Sequence, residues 1–182
     1  MVYVLIADGF EEIEAIGTID ILRRAEIQTM TVSIDDCYIV KSARDVKVVV
    51  DITLNELSHG EIDDGDALVL PGGGGGVKHL SKSKQVKALI SAFAANNRLI
   101  AAICAAPTLL GTMGLLDGRK ATCYPDLQNE LFCGEYSEDA VVVDGNIVTS
   151  RGAGTTHLFA AKIVEIMADK MLADEILKKM VY

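Results

Sequence analysis

A cysteine at the end of an apolar run is the residue of this sequence best placed to do chemistry. The segment LIAAICAAPTLLG (99–111) passes from a strand-like run through Cys104 to a helical pattern near Pro107. Proline suits the first turn of a helix, so Cys104 is expected just outside that helix. Such a turn resembles a nucleophile elbow, where helix-end amides favour the thiolate. The alternative is a packing role, because free cysteine is among the most buried residue types.

An acidic loop is the second candidate. The segment DGFEEIE (8–14) places carboxylates in the first turn of a predicted helix, where the helix dipole favours them whatever their function. Capping is therefore the expected role of Glu11 and Glu12. Glu14 differs if its side chain turns toward Cys104. A partly desolvated carboxyl beside a thiolate binds its proton more tightly and can donate a hydrogen bond to sulfur.

The glycine run LPGGGGG (70–76) is the third candidate. It offers either backbone N–H donors for an anion beside the cysteine or a flexible turn. A phosphate-binding P-loop is excluded, because that motif requires GxxxxGK[ST] and Lys78 here stands between Val77 and His79.

The histidines and the other cysteines suggest neither a triad nor a metal site. His59, His79 and His157 are each expected at surface or capping positions, so no Cys–His pair is predicted. The cysteines form no CxxC pair and no metal-ligand spacing with the histidines, which indicates reduced thiols. No role is assigned to Cys37, Cys123 and Cys133.

Composition indicates a globular protein that neither spans a membrane nor binds nucleic acid. The 182 residues are 50% hydrophobic, enough for one domain over residues 1–182. Apolar runs are too short to span a bilayer, and the first residues lack the pattern of a signal peptide, so a cytoplasmic location is expected. A net charge of −9 without basic stripes argues against nucleic acid as a partner.

Strand and helix patterns alternate, which predicts an α/β fold with a doubly wound, mostly parallel sheet. Ligands bind such sheets at the carboxyl ends of the strands, where all three loops should meet. Strands are predicted over 2–7, 28–34, 66–71, 98–103 and 120–124; hairpins over 38–51 and 139–150; and helices over 11–26, 84–97, 107–116 and 157–172, with a last short helix after them.

Together and in this order, the segments ADGFEEIEAIGTIDILRRAEI, ARDVKV, LPGG, LIAAICAAPTLL, TCYP and VTSRGAGT resemble the ThiJ/PfpI family, and within it the DJ-one, protein-deglycase-like branch. The resemblance spans almost the whole chain. It implies a flavodoxin-like fold similar to class I glutamine amidotransferases, a homodimer, and no metal or organic cofactor. The residue roles that it implies are a reactive thiolate at Cys104, a protonated partner at Glu14, backbone anion donors at Gly73 and Ala105, and places near the pocket or a dimer contact for Arg44, Arg24 and Tyr124.

The sequence departs from the family pattern at two positions, and these departures favour some of the family's activities over others. Peptidase-like relatives carry histidine directly after the nucleophile, where Ala105 stands here, so an intracellular peptidase is only a distant third hypothesis. The DJ-one branch often has histidine at the position of Tyr124, and a tyrosine is a poor proton shuttle near neutral pH. Glu14 is therefore expected to move protons.

The leading prediction is a glyoxalase- or deglycase-like enzyme that acts on small 2-oxoaldehydes through Cys104 and Glu14 in oxidative or carbonyl stress defence. The alternative is a redox-sensing, chaperone-like stress protein that responds through oxidation of Cys104. A reactive, accessible thiol serves both hypotheses equally well.

Overall fold

Strands and helices alternate along the chain, as predicted. The computed structural model describes residues 1–182, and the side chains of His59, Glu61 and Asp63 lie outside what it describes. The strands are β1 Val2–Ile6, β2 Thr29–Ser33, β3 Ile39–Lys41, β4 Lys47–Val49, β5 Ile52–Thr53, β6 Ala67–Leu70, β7 Leu99–Ile103, β8 Lys120–Ala121, β9 Glu135–Tyr136, β10 Val141–Asp144 and β11 Ile147–Ser150. The helices are α1 Glu12–Arg24, α2 His59–Asp64, α3 Gly74–Lys82, α4 Lys84–Ala95, α5 Ala106–Thr112, α6 Thr156–Met167 and α7 Lys170–Lys179, with 3-10 turns at Leu54–Glu56, Gln128–Glu130 and Ala153–Thr155.

A mostly parallel sheet forms the centre of the molecule. Within the described chain its strand order is β10-β11-β7-β6-β1-β2-β5. Neighbours pair in parallel, except that β10 and β11 form an antiparallel hairpin. Strands β1, β6 and β7 are buried along their whole length, as expected when helices cover both faces of a sheet. The predicted doubly wound α/β fold is confirmed.

Alternation along the strands supplies a separate core to each face of the sheet. In β1, Val4 belongs to the core beneath α1, α6 and α7, whereas Leu5 belongs to the core beneath α3, α4 and α5. Both residues are at most 1% exposed. Because helices cover both faces of the sheet, ligands can reach it only at the ends of the strands. None of the described helices has the length and apolarity needed to cross a membrane.

The glycine run does not end as a flexible turn, because helix α3 begins inside it at Gly74. Glycine is a poor helix former, so this helix needs tertiary support. Val77 and Leu80 supply it, since both side chains are buried in the core of the sheet. Burial thus overrides local propensity.

Three predicted elements end earlier than expected. The helix over 107–116 ends at Thr112. The strand over 120–124 ends at Ala121, since the next N–H, that of Thr122, donates to Thr149 Oγ1 at 3.0 Å. The helix over 157–172 ends at Met167. Asp169 then caps a new helix by accepting the N–H of Leu172 at 2.8 Å, which accounts for the break.

Candidate active site

Cys104 occupies the sharp turn between β7 and α5 in a left-handed backbone conformation, with φ of 66°. This conformation costs a residue other than glycine about 1–2 kcal/mol. Two backbone hydrogen bonds hold the turn in place. The N–H of Cys104 donates to Ser150 O at 2.9 Å, and its carbonyl accepts the N–H of Tyr124 at 2.8 Å. The structure therefore places Cys104 in the strained elbow that the sequence predicts.

Glu14 points from the first turn of α1 over the edge of the sheet toward Cys104. The residue is 1% exposed, and its Oε2 accepts the N–H of Gly72 at 2.8 Å. A Cβ on Gly72 would lie 2.5 Å from both Cys104 Cβ and Glu14 Oε2. Only glycine fits here, and it allows the carboxyl and the thiol to meet across the loop. Gly72 is a site residue that sequence reasoning missed; its position at the end of the β6 strand pattern, directly after Pro71, is the signal that could have found it.

The predicted anion donors also converge on the cysteine. The backbone N–H groups of Gly73 and Ala105 lie close enough to the Cys104 sulfur to lower the pKa of its thiol. Gly73 is the residue before α3 and has φ of 90°, while Ala105 is the residue before α5. Residues at these positions have N–H groups that no helical carbonyl satisfies, so they are free to bind an anion.

Glu14 and Cys104 titrate as a pair. Burial, opposed by the hydrogen bond with Cys104 and reinforced by the charge of Glu11, raises the pKa of Glu14 to about 7. Burial and the neighbouring Glu14 carboxylate raise the pKa of the Cys104 thiol to about 12. The amides of Gly73 and Ala105 lower it, as predicted, but they do not outweigh the other two effects. Because the second ionisation is so unfavourable, the pair loses one proton with a midpoint of about 7 and carries a single negative charge above it.

A cleft of about 580 Å³ opens over Cys104 and Glu14. Arg44 and Tyr124 line it, as predicted. Arg44 Nη1 lies 3.4 Å from Glu11 Oε1 on the wall of the cleft. The other lining residues are Ala43, Gly73, Gly74, Ala105, Pro125, Asp126, Leu127 and Ala153.

Arg24 does not join this cleft. It ends α1, ten residues beyond Glu14, which at the rise of an α-helix is about 15 Å away. Its Nε donates to Asp20 Oδ2 at 2.7 Å on the exposed surface of the same helix. Within this chain Arg24 therefore lies outside the cleft, and its place at a dimer contact stays a prediction.

The histidines whose side chains are described have other partners. His79 Nδ1 lies 2.9 Å from Asp8 O, and His157 stacks on Tyr182 at 5.3 Å between ring centroids. The side chain of His59 lies outside the described residues. Among the side chains that are described, no group of three or more His, Cys, Asp or Glu is placed to hold a metal ion. All four cysteines are free: Cys37 is exposed, Cys104 and Cys133 are half-buried, and Cys123 is buried.

Comparison with known proteins agrees with the fold. A sequence model of the DJ-1/PfpI family matches residues 1–166. The chain belongs to the DJ-1/PfpI family. Protein DJ-1alpha of Drosophila melanogaster is 41% identical over 184 residues, which cover 98% of this chain and 82% of the fly protein. Glutathione-independent glyoxalase DJR-1.2 of Caenorhabditis elegans is 32% identical over 170 residues, covering 92% and 88% of the two chains.

A solved structure of a DJ-1/PfpI family member shows the same architecture. Toxoplasma gondii DJ-1, in an oxidized form, superposes with a TM-score of 0.93 at 35% identity, covering 100% of this chain and 97% of the other. The sandwich that this family shares with class I glutamine amidotransferases is therefore the fold of this chain.

Proposed function

We propose that this protein is a cofactor-free glyoxalase- or deglycase-like enzyme that acts on small 2-oxoaldehydes such as methylglyoxal. The carrying observation is the buried contact of Cys104 with Glu14, beneath a cleft and within reach of two backbone N–H donors. The family includes a protein named as a glutathione-independent glyoxalase. A role in carbonyl or oxidative stress defence follows from that substrate class.

The geometry of Glu14 favours a proton on one particular oxygen. Oε2 accepts the N–H of Gly72, whereas Oε1 is buried and has no hydrogen-bond partner among the described polar atoms. With a proton on Oε1, Oε2 keeps the N–H of Gly72, and the neutral carboxyl of Glu14 lies against a sulfur that can carry the negative charge. The single negative charge of the pair is then held on sulfur as a nucleophilic thiolate, stabilised by the two backbone N–H groups.

The reaction follows from this arrangement. The sulfur of Cys104 attacks the aldehyde carbon, a C–S bond forms, and the aldehyde oxygen takes the proton from Glu14 to give a hemithioacetal. The Glu14 carboxylate next removes the hydrogen of that carbon as a proton, which leaves an enediolate with its charge on the neighbouring oxygen. The hydroxyl proton of the first carbon then passes to that oxygen. Returning the proton to the second carbon gives the thioester of a 2-hydroxy acid. Water cleaves the thioester and regenerates the thiolate, so one carbon is oxidised, its neighbour is reduced and no external oxidant is needed.

The test is methylglyoxal consumption without glutathione, with lactate measured as product, for the wild type, Cys104→Ser and Glu14→Gln. We expect the wild type to turn over and both variants to lose at least about a hundredfold in activity, because Cys104 and Glu14 carry out different steps. Cys123→Ser is the matched control, since it removes a buried thiol outside the lining of the cleft and should retain activity. An inert wild type overturns the proposed activity, and full turnover by Glu14→Gln overturns the role of Glu14.

A redox-sensing function is the second candidate, and a relative solved in an oxidized form favours it. The N–H groups of Gly73 and Ala105 that bind a thiolate would also bind the oxygens of a sulfinate at Cys104. A slight excess of peroxide should then add two oxygen atoms to the intact mass, and Cys104→Ser should abolish the addition. Oxidation spread over Cys37, Cys123 and Cys133 would count against sensing.

We also propose that the protein forms a homodimer in the cytoplasm. Helix α1 exposes Ile13 and Ile16, and the neighbouring β3–β4 hairpin exposes Ile39 and Val49, the last at 73%. The loop of this hairpin contacts the start of α1 through Glu12, and exposed apolar side chains on neighbouring elements are typical of a protein–protein contact. Light scattering should give twice the mass of 19.5 kDa. Ile16→Asp should shift it toward the monomer, while a wild type that is monomeric at micromolar concentration contradicts the proposal. Four free cysteines suit the reducing conditions of the cytoplasm.

A further inference from the structure

The carboxylate of Glu11 lies beside the Cys104–Glu14 pair, and the reaction above gives it no task. Glu11 is the N-cap of α1, and its Oε2 accepts the backbone N–H of Glu14 at 2.8 Å. The residue is only 9% exposed, although it lines the cleft. Its charge is therefore fixed close to Glu14 by the helix itself and is largely withdrawn from solvent.

Arg44 neutralises this charge only in part. Its Nη1 is shared between Glu11 Oε1 at 3.4 Å and Glu12 Oε2 at 3.2 Å. The Arg44 side chain is 70% exposed, so water screens its charge. Glu12 has further donors, the hydroxyl of Ser42 at 2.5 Å and the backbone N–H of Arg44 at 2.6 Å. Arg44 is thus bound mainly to the carboxylate of Glu12, and the negative charge of Glu11 is only partly neutralised.

We propose that Glu11 is a positioning residue whose negative charge keeps the proton of the Cys104–Glu14 pair on Glu14 and the negative charge on sulfur. A second carboxylate beside an existing one is unfavourable, so the proton is retained at Glu14. The negative charge of Glu11 raises the pKa of Glu14, whereas the negative charge of Glu14 raises the pKa of the Cys104 thiol. The purpose assigned to Glu11 rests on the proposed function, although its effect on the thiolate can be measured without substrate.

Other groups around Glu14 have different effects. Arg44, from the loop after β3, has the opposite sign and lowers the pKa of Glu14. Cys104 faces Glu14 from the turn after β7, and the loop after β6 contributes the backbone N–H of Gly72. From the loop after β8, Tyr124 and Asp126 line the cleft. Among the charged groups acting on Glu14, Glu11 therefore has the sign that favours a protonated carboxyl.

The experiment compares the rate at which iodoacetamide alkylates Cys104 across pH in four proteins, with the Cys104 peptide followed by mass. Glu11→Gln removes the charge and keeps an oxygen that can cap Glu14. Glu11→Asp keeps the charge and a good N-cap. Glu12→Gln is the matched control, because it removes the neighbouring carboxylate bound to the same arginine.

Alkylation near neutral pH should slow by about three- to tenfold in Glu11→Gln, equivalent to a shift of up to about one pKa unit, because the pair's charge moves from sulfur to Glu14. The rate should stay within about twofold of the wild type in Glu11→Asp and Glu12→Gln. An infrared band of a protonated carboxyl, assigned through its loss in Glu14→Gln, should weaken in Glu11→Gln.

Three results overturn the inference. A wild-type rate and pH profile in Glu11→Gln would leave Glu11 as a cap alone. An equal loss in Glu11→Asp would show that position, not charge, is responsible. An equal loss in Glu12→Gln would show a general effect of surface charge. If Glu11→Gln fails to fold, retention of the alkylation rate and the carboxyl band in Glu11→Asp still supports the charge, and their loss in that variant overturns it. A wild type inert toward methylglyoxal, with the predicted order of alkylation rates, would refute only the proposed activity.

Discussion

The backbone N–H of Gly72 donates to Glu14 Oε2 at 2.8 Å, across 58 positions of the chain. This bond occupies one carboxyl oxygen and leaves the other, Oε1, buried without a partner among the described polar atoms. The bond orients the carboxyl of Glu14, whose side chain interacts with that of Cys104. The glycine loop thus affects Cys104 in two ways. Gly72 orients the carboxyl of Glu14, and the N–H of Gly73 lowers the pKa of the Cys104 thiol.

Gly72 should tolerate no side chain. In Gly72→Ala, the new Cβ would lie 2.5 Å from Cys104 Cβ and Glu14 Oε2, so a destabilisation of about 2–3 kcal/mol is expected. Gly74→Ala is the matched control, because no atom lies within 4 Å of its Cβ and alanine favours the helix. Urea denaturation measures both free energies of unfolding. Equal stability of the two variants would contradict the tight packing at Gly72.

Stability should depend on pH through Glu14. Its pKa rises from 4.5 in the unfolded chain to about 7 in the native state, mainly through burial. The native state then holds a proton that the unfolded chain has released, so the free energy of unfolding should fall between these values, by about 3 kcal/mol. The full contribution is present below the lower value and is lost as pH rises through the upper one. Denaturation at about pH 5 and about pH 8 should show this loss in the wild type and a smaller one in Glu14→Gln. Equal losses would place the proton elsewhere.

The elbow should store backbone strain. Cys104 has φ of 66°, a conformation that glycine adopts readily and alanine does not. Cys104→Gly should therefore be more stable than Cys104→Ala by about 1 kcal/mol, although glycine is usually the more destabilising residue. Thermal and urea denaturation of the two variants provide the comparison. The reverse order of stability would mean that the turn relaxes without cost.

The two arginines should behave differently. The positive charge of Arg44 lowers the pKa of Glu14, so Arg44→Ala should hold the proton more firmly at Glu14 and shift the alkylation profile of Cys104 toward faster reaction near neutral pH, by up to about threefold. Arg24→Ala should leave the profile unchanged, because Arg24 pairs with Asp20 away from the cleft. A shift in Arg24→Ala as large as that in Arg44→Ala would require Arg24 to reach the cleft, for example across a dimer contact.

Much of the fold could be predicted because the spacing of apolar residues along the chain indicates which segments form buried strands and helices. The runs that became β1, β6 and β7 are apolar on both faces, which only a covered parallel sheet satisfies. The helical glycine segment at Gly74 could not be predicted, since burial of Val77 and Leu80 decides it against local propensity. The early end of the strand at Ala121 was missed for a related reason: the N–H of Thr122 finds its acceptor in a distant strand.

The candidate site divides in the same way. By itself the sequence determined the elbow at Cys104, the acidic turn that contains Glu14 and the glycine loop between them in the chain, because residue type and order are local properties. Only the tertiary structure decided that Glu14 turns toward the sulfur, that Gly72 separates the two groups, that Glu11 lies beside them and that Arg24 does not. Direction, burial and the sharing of one proton depend on atoms brought together from distant segments, and no local pattern encodes those distances.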